Sequence, residues 1–441
     1  DGIGVPSKTS LMKKRSLVIA GSSLLVCAVA LSSGYAVYYF VNKIKPSDVN
    51  TEIPAFVANV QPAQKTYSNK VSLNSVSIYD SFAEKAAASY FLGGQAENKV
   101  YSAPDFFVES ALVAFLGGEP SEAKFCDYVG AGSFNDVVLA AKEITLALGT
   151  MADGSHGGLS FQSLFSSGDS SDIVAAKSTK ATSSDSFFAW ILQTELSGKA
   201  IDYFLKQNGA DAVGENAVPA LSSSVSDVAV SSYAVVASFS KEERAAFKSQ
   251  YSSGSHKMAF VGSDGLASQV DYTDRYSSAL TTLSGDRYSG VYDAIGAVGV
   301  SYYLPKAGSD LSGLGSWYFD ANQEKAAASG DILSPYFAVA SENDLTSALA
   351  ESSSLSLSDF YAAGHTVSAY YQTETLRYGY AGFGRDSFSA SNDVAETNSE
   401  DTNVFALSKP FGVVTSQTVT TDQGEESLPM SFATICSPDY K

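Results

Sequence analysis

Between Ser16 and Asn42 lie 27 consecutive residues without a formal charge, bracketed by Lys13-Lys14-Arg15 on one side and by Lys43 and Lys45 on the other. As a helix the run spans about 40 Å, enough to cross a bilayer with some tilt. Tyr35, Tyr38, Tyr39 and Phe40 gather at its C-terminal end, where an interfacial aromatic belt belongs. The basic cluster before the run sets residues 1–15 on the cytosol-like side and sends everything after Lys45 across. A cleavable signal peptide is the rival reading, but the run is long for one, so a retained single-pass helix over 16–42 is expected. Small residues Gly21, Ser22, Ser33 and Gly34 permit close packing against other membrane helices, although solitary anchors carry such residues too.

Beyond the anchor the chain is acidic. It holds 28 basic and 47 acidic residues, net −19. Six of the basic residues and only Asp1 of the acidic ones fall in the first 45 positions, so the remainder carries 22 and 46, net −24. Such a surface repels phosphate backbones, which excludes nucleic acid as a partner and leaves simple solubility or a basic protein surface. The sequence opens on Asp1 and contains no Asn-x-Ser/Thr acceptor. Both features favour a bacterial or organellar membrane over a eukaryotic cell surface, with a thylakoid membrane and lumenal domain as the placement that fits them together.

Residues 43–74 are polar, with Pro46, Pro54 and Pro62 and little periodicity, and read as an extended linker. A single domain over 75–441 follows. Ile78, Phe82, Ala86 and Tyr90 recur at helical spacing, predicting an amphipathic helix to Leu92. Val228-Ala229-Val230-Ser231-Ser232-Tyr233 is uncharged and rich in small and β-branched residues, as suits a strand covered on both faces. Apolar strands mixed with a few helices, without a regular βαβ cadence, place the domain in the α+β class.

Several strings narrow this further. They are Tyr101-Ser102-Ala103-Pro104 before Ser110-Ala111-Leu112, Ile201-Asp202-Tyr203-Phe204, and Val218-Pro219. Ser301-Tyr302-Tyr303-Leu304-Pro305 and Phe337-Ala338-Val339 before Asp344-Leu345 with Leu349 come next, and then Lys409-Pro410-Phe411, Phe432 and Pro438. In this order they resemble the serpin family over 75–441. The resemblance implies a large central sheet with surrounding helices, a strand through Phe337, a helix starting at Asp344, and a C-terminal strand pair opened by Pro410-Phe411. Where the family motif has a second Ser on its buried helix, this chain has Phe106.

The resemblance also points to a hinge. Inhibitory serpins carry Glu-x-Gly-Thr and then small residues, which let the cleaved loop enter the sheet as an extra strand. Aligned on Val367-Ser368, Gly382 takes the hinge Gly and Tyr380 stands where Glu belongs. Phe383, Arg385 and Asp386 then occupy the small-residue stretch, and insertion is expected to fail because a buried unpaired charge costs several kcal/mol. The exposed loop is expected over 384–403, with Asp393, Glu396 and Thr397 as its candidate bait.

Other chemistry is sparse. His156, His256 and His365 are scattered, and there is no Gly-x-Ser-x-Gly elbow, Gly-Lys-Ser/Thr phosphate loop or Cys-x-x-Cys. Glu119/Glu122 and Glu425/Glu426 read as solvated faces. Cys27 falls in the apolar run, and Cys126 and Cys436 pair only if the fold brings them together. No enzyme activity, metal or cofactor is expected. Two functions remain: a non-inhibitory structural or accessory subunit of a membrane protein assembly, with the membrane and other subunits as partners, or a membrane-anchored serine/cysteine protease inhibitor.

Overall fold

Ser72 starts the first helix of the domain: its Oγ accepts the backbone N–H of Ser75 at 3.3 Å and its carbonyl accepts that of Val76 at 3.0 Å, an N-cap in the usual sense. Helix α1 (Leu73–Phe91) follows and buries Val76, Tyr79, Phe82, Ala83, Ala86, Ala87 and Tyr90 on one face. The computed structural model describes residues 68–91, 97–117, 119–149, 158–165, 228–238, 257–295, 298–344, 371–379, 382–384 and 403–438, with 245, 248 and 249. All belong to one compact unit, Asn50–Lys441. The expected membrane helix with Gly21, Ser22, Ser33 and Gly34, the motifs at 201–221 and the three histidines lie outside the described residues.

The order then runs β1 (Lys99–Ser102), α2 (Ala103–Gly117), α3 (Glu119–Val129), α4 (Phe134–Gly149), β2 (Gly158–Phe165), β3 (Val228–Ser238), β4 (Lys257–Val261), β5 (Ala267–Ser284), β6 (Tyr288–Ile295) and β7 (Val298–Pro305). A 3₁₀ turn at Leu311–Gly313 leads into α5 (Leu314–Tyr318), followed by β8 (Glu324–Pro335), β9 (Phe337–Asp344), β10 (Tyr371–Gly379), β11 (Gly382–Gly384), β12 (Asn403–Ala406), β13 (Phe411–Thr420) and β14 (Glu425–Ile435).

Two sheets organise these strands. The larger has the order β1-β14-β13-β7-β6-β5-β8-β12, with β4 paired to β5 as its ninth strand. The smaller has the order β2-β3-β11-β10-β9. The C-terminal pair is antiparallel from Phe411↔Ile435 to Thr420↔Glu425, so Pro410 does open it. Pro410 has no N–H to give a ladder, which suits the position just before the first strand residue.

The core lies where α1 and α2 meet the larger sheet. Phe82 packs on Phe106 at 5.1 Å, Phe107 at 5.4 Å and Phe125 at 5.8 Å between ring centroids, and Tyr101 stacks on Phe432 at 5.9 Å. Phe106, in place of the family's serine, is thus fully buried in an aromatic cluster. Tyr79 donates its hydroxyl to the carbonyl of Pro429, tying α1 to β14. Gly315 of α5 lets that helix approach α1, because a Cβ there would sit 2.5 Å from the backbone N of Ala88.

Two details differ from the sequence reading. Asp344 is the last residue of β9, paired with Tyr371 of β10, instead of the first of a helix. Residues 345–349 lie outside the described residues. Ser68–Ser72 is already fastened to the domain: Val71 N–H donates to Thr420 O at 3.0 Å, Thr420 N–H to Asn69 O at 2.8 Å, and Ser72 N–H to Glu143 Oε2 at 2.8 Å.

Candidate functional site

Gly379 of β10 pairs with Gly382, the first residue of β11, in the smaller sheet. Strand β11 is hydrogen-bonded on both edges: Gly382, Phe383 and Gly384 face Ser238, Ala237 and Val236 of β3 and Gly379, Tyr378 and Arg377 of β10. The hinge segment has therefore entered the sheet between β3 and β10. The expectation that insertion fails on the charges of Arg385 and Asp386 falls on residues outside the described ones.

Phe383 lies opposite Tyr378, which lies opposite Phe337 of β9, so the three share one face of the sheet. Tyr378 and Phe337 are buried, and their rings stack at 5.6 Å. Phe337 in turn meets Phe411 of the larger sheet edge-on at 5.8 Å.

The strand ends at Gly384. Continuing the β10–β11 register by one residue sets position 385 against Leu376, which is 2 % exposed and on the same face as Tyr378. Arg385 is the residue at that position, and Asp386 would follow on the opposite face.

Behind this face sits a polar node. The hydroxyls of Thr273 and Tyr378 lie 2.7 Å apart, and Thr273 Oγ1 donates to Ser334 O at 3.3 Å. Arg275 of β5 and Asp293 of β6 form an ion pair at 6 % and 2 % exposure, and Ser277 Oγ donates to Asp293 Oδ1 at 2.8 Å. Burial holds the Tyr302 hydroxyl well above the ordinary phenol range, only partly opposed by the Arg275 charge. Sequence reading missed this node, although an Arg inside an alternating strand is the signal that could have drawn notice.

The remaining predicted site residues separate. Gly382 and Phe383 are in β11, whereas Tyr380, Arg385, Asp386, Asp393, Glu396 and Thr397 lie outside the described residues. Cys126 and Cys436 are buried and not joined in a disulfide; burial pushes the Cys436 thiol up to about 11. Glu119 and Glu122 occupy the first turn of α3, where the helix dipole favours them. Among the described residues no cluster of His, Cys, Asp or Glu is arranged to hold a metal ion, and no helix is long and apolar enough to cross a membrane.

No protein-family model and no curated protein sequence matches the chain. Solved structures do. Native protease nexin-1 with heparin superposes with a TM-score of 0.55 at 14% identity, covering 82% of this chain and 100% of that one. Human thyroxine-binding globulin complexed with thyroxine gives 0.56 at 12% identity, covering 83% and 99%. The thermophilic serpin tengpin in its native state gives 0.59 at 11% identity, covering 87% and 98%. At these coverages the likeness is one of overall architecture: the chain has a serpin fold.

Proposed function

We propose that the chain is a membrane-tethered, non-inhibitory serpin-like protein, acting as a structural or accessory subunit of a membrane protein assembly. The observation that carries the non-inhibitory part is the register of β11. Trapping a protease needs the whole loop to enter the sheet, and the residue that follows β11 in the sequence is Arg385, whose charge a sheet interior disfavours. The tether rests on the uncharged run Ser16–Asn42, and the acidic composition, with the thylakoid lumen as the proposed compartment, fits a domain that meets other subunits. The fold accommodates a binding role without protease capture, since one structural neighbour is a thyroxine-binding globulin.

One observation favours the second reading, a membrane-anchored protease inhibitor. Residues 382–384 already occupy the slot that an inserting loop would fill first. The two readings separate in one assay. The chain is incubated with serine and cysteine proteases and run on a denaturing gel. A non-inhibitory protein is cleaved in 385–403 or left intact, and a covalent complex that survives denaturation would establish the inhibitor instead. Co-purification in mild detergent tests the subunit role: discrete membrane proteins should accompany the chain in fixed ratio, and recovery of the chain alone would reject it.

A further inference from the structure

Asp80 of α1 is half-buried near Glu426 of β14 and Tyr318 of α5, and its Oδ1 is closed off without a hydrogen-bond partner. The groups that act on it electrostatically are carboxylates: Glu426 at the start of β14 and Glu84 one turn along α1, both exposed. Tyr79 and Tyr318 adjoin it and sense its charge. Tyr318 is engaged elsewhere, its hydroxyl 3.3 Å from Ser427 O and 3.2 Å from Ser427 Oγ. The one lysine of α1, Lys85, donates to the carbonyl of Tyr128 and stands 5.0 Å from the centre of its ring. Among the described residues no cation answers the Asp80 carboxyl.

Burying a carboxyl beside two others disfavours its charge, and the Asp80 pKa is pushed up to about 8, first by desolvation and then by Glu426 and Glu84. The acidic groups of this corner are not arranged as a metal site. They suit a larger cation that forms hydrogen bonds. A Lys or Arg side chain carries its charge on an aliphatic stem, which can pass the exposed glutamates and reach inward while remaining covalently part of a folded partner. Such a partner surface is also what a chain of net charge −19 attracts at long range.

We propose that this corner of α1, α5 and β14 is the docking point for a basic side chain, Lys or Arg, of a partner polypeptide, with Glu84 and Glu426 as its rim and Asp80 as its floor. The inference rests on local charge and does not depend on whether the loop inserts.

The full chain in non-ionic detergent at low ionic strength is titrated with a fluorescein-labelled decapeptide of alternating Lys and Gly, and binding is read by anisotropy. Asp80→Asn, and separately the pair Glu84→Gln with Glu426→Gln, should each weaken binding by about five-fold or more, as loss of charged partners at a specific contact does. The control pair Glu119→Gln with Glu122→Gln removes equal charge from α3 and should change binding by less than about two-fold. Equal losses in both pairs would reveal unspecific attraction to an acidic surface and overturn the proposal, as would unaltered binding by Asp80→Asn. Spermidine binding as tightly as the peptide would assign the corner to free polyamines and equally overturn it. Should Asp80→Asn fail to fold by circular dichroism, the exposed Glu84/Glu426 pair alone decides.

Discussion

Phe337 and Tyr378 stack at 5.6 Å across the β9–β10 ladder, and the next position in the same row belongs to Phe383 of β11. The backbone register alone places the hinge in the sheet, between β3 and β10. In the sequence, Arg385 comes directly after β11.

Cleavage of the loop tests whether Arg385 bars further insertion. Nicking within 387–403 should leave the melting temperature of the wild-type chain almost unchanged. The variant Arg385→Ala with Asp386→Ser should instead gain several degrees on nicking, because the freed strand can extend past Gly384 without burying a charge. Differential scanning calorimetry before and after limited proteolysis reads both. A large rise in the wild type would mean that the sheet accepts Arg385 and would restore the inhibitor reading.

The ion pair between Arg275 and Asp293 makes a second prediction. Both side chains are buried between β5 and β6, with Ser277 supporting the carboxylate. Arg275→Met leaves Asp293 charged and without its cation, and should destabilise the domain by roughly 3–5 kcal/mol. Adding Asp293→Leu should recover most of that loss, since two apolar groups remove the desolvation penalty together. Urea denaturation of the single and double variants measures the coupling; equal stability of the two variants would show that the pair contributes nothing specific.

The parts of this fold that could be read in the sequence are those set by local pattern. Ile78, Phe82, Ala86 and Tyr90 announce α1, Leu304-Pro305 ends β7, and Pro410 stands before β13, each through spacing or a missing N–H within a few residues. What could not be read depends on remote partners. Phe383 shares a register row with Phe337 and Tyr378, and only the strand pairing brings these positions together. Asp344 ends a strand because it pairs with Tyr371, although Asp before Leu also suits a helix start. Asp80 looks like one polar residue on an amphipathic helix until β14 sets Glu426 beside it.

A close contact gives the third prediction. Gly315 of α5 presses on α1 so tightly that a methyl group would meet the backbone of Ala87 at 2.6 Å and of Ala88 at 2.5 Å. Backbone atoms of a helix cannot swing aside as a side-chain tip can. Gly315→Ala should therefore destabilise by roughly 1–3 kcal/mol through separation of α5 from α1, despite the better helix propensity of Ala. Denaturant midpoints check the size, and quenching of Trp317 fluorescence by acrylamide checks the cause. Unchanged stability would mean that the two helices are not held at this spacing.

The last prediction concerns pH and Asp80. Its folded pKa, about 8, lies above the ordinary carboxylate value, so between those two values the folded state holds a proton that the unfolded chain has released. Stability from this group is therefore greatest at acidic pH and declines as pH rises from about 4 towards 8. The physical cause is that ionised Asp80, half-buried with its Oδ1 shut off from water, would stand beside Glu426 and Glu84 with no cation among the described residues. Asp80→Asn keeps the shape and hydrogen-bonding capacity of the neutral acid and cannot ionise. At pH 8 it should stabilise the domain by about 2 kcal/mol, a figure reduced for partial solvent access, and should flatten the decline in stability over this window. At pH 4 the variant and the wild type should melt together. Thermal melts at half-unit pH steps give the comparison, and a wild type that grows more stable from pH 4 to 8 while the variant does not would show that Asp80 is ionised and already paired in the folded protein.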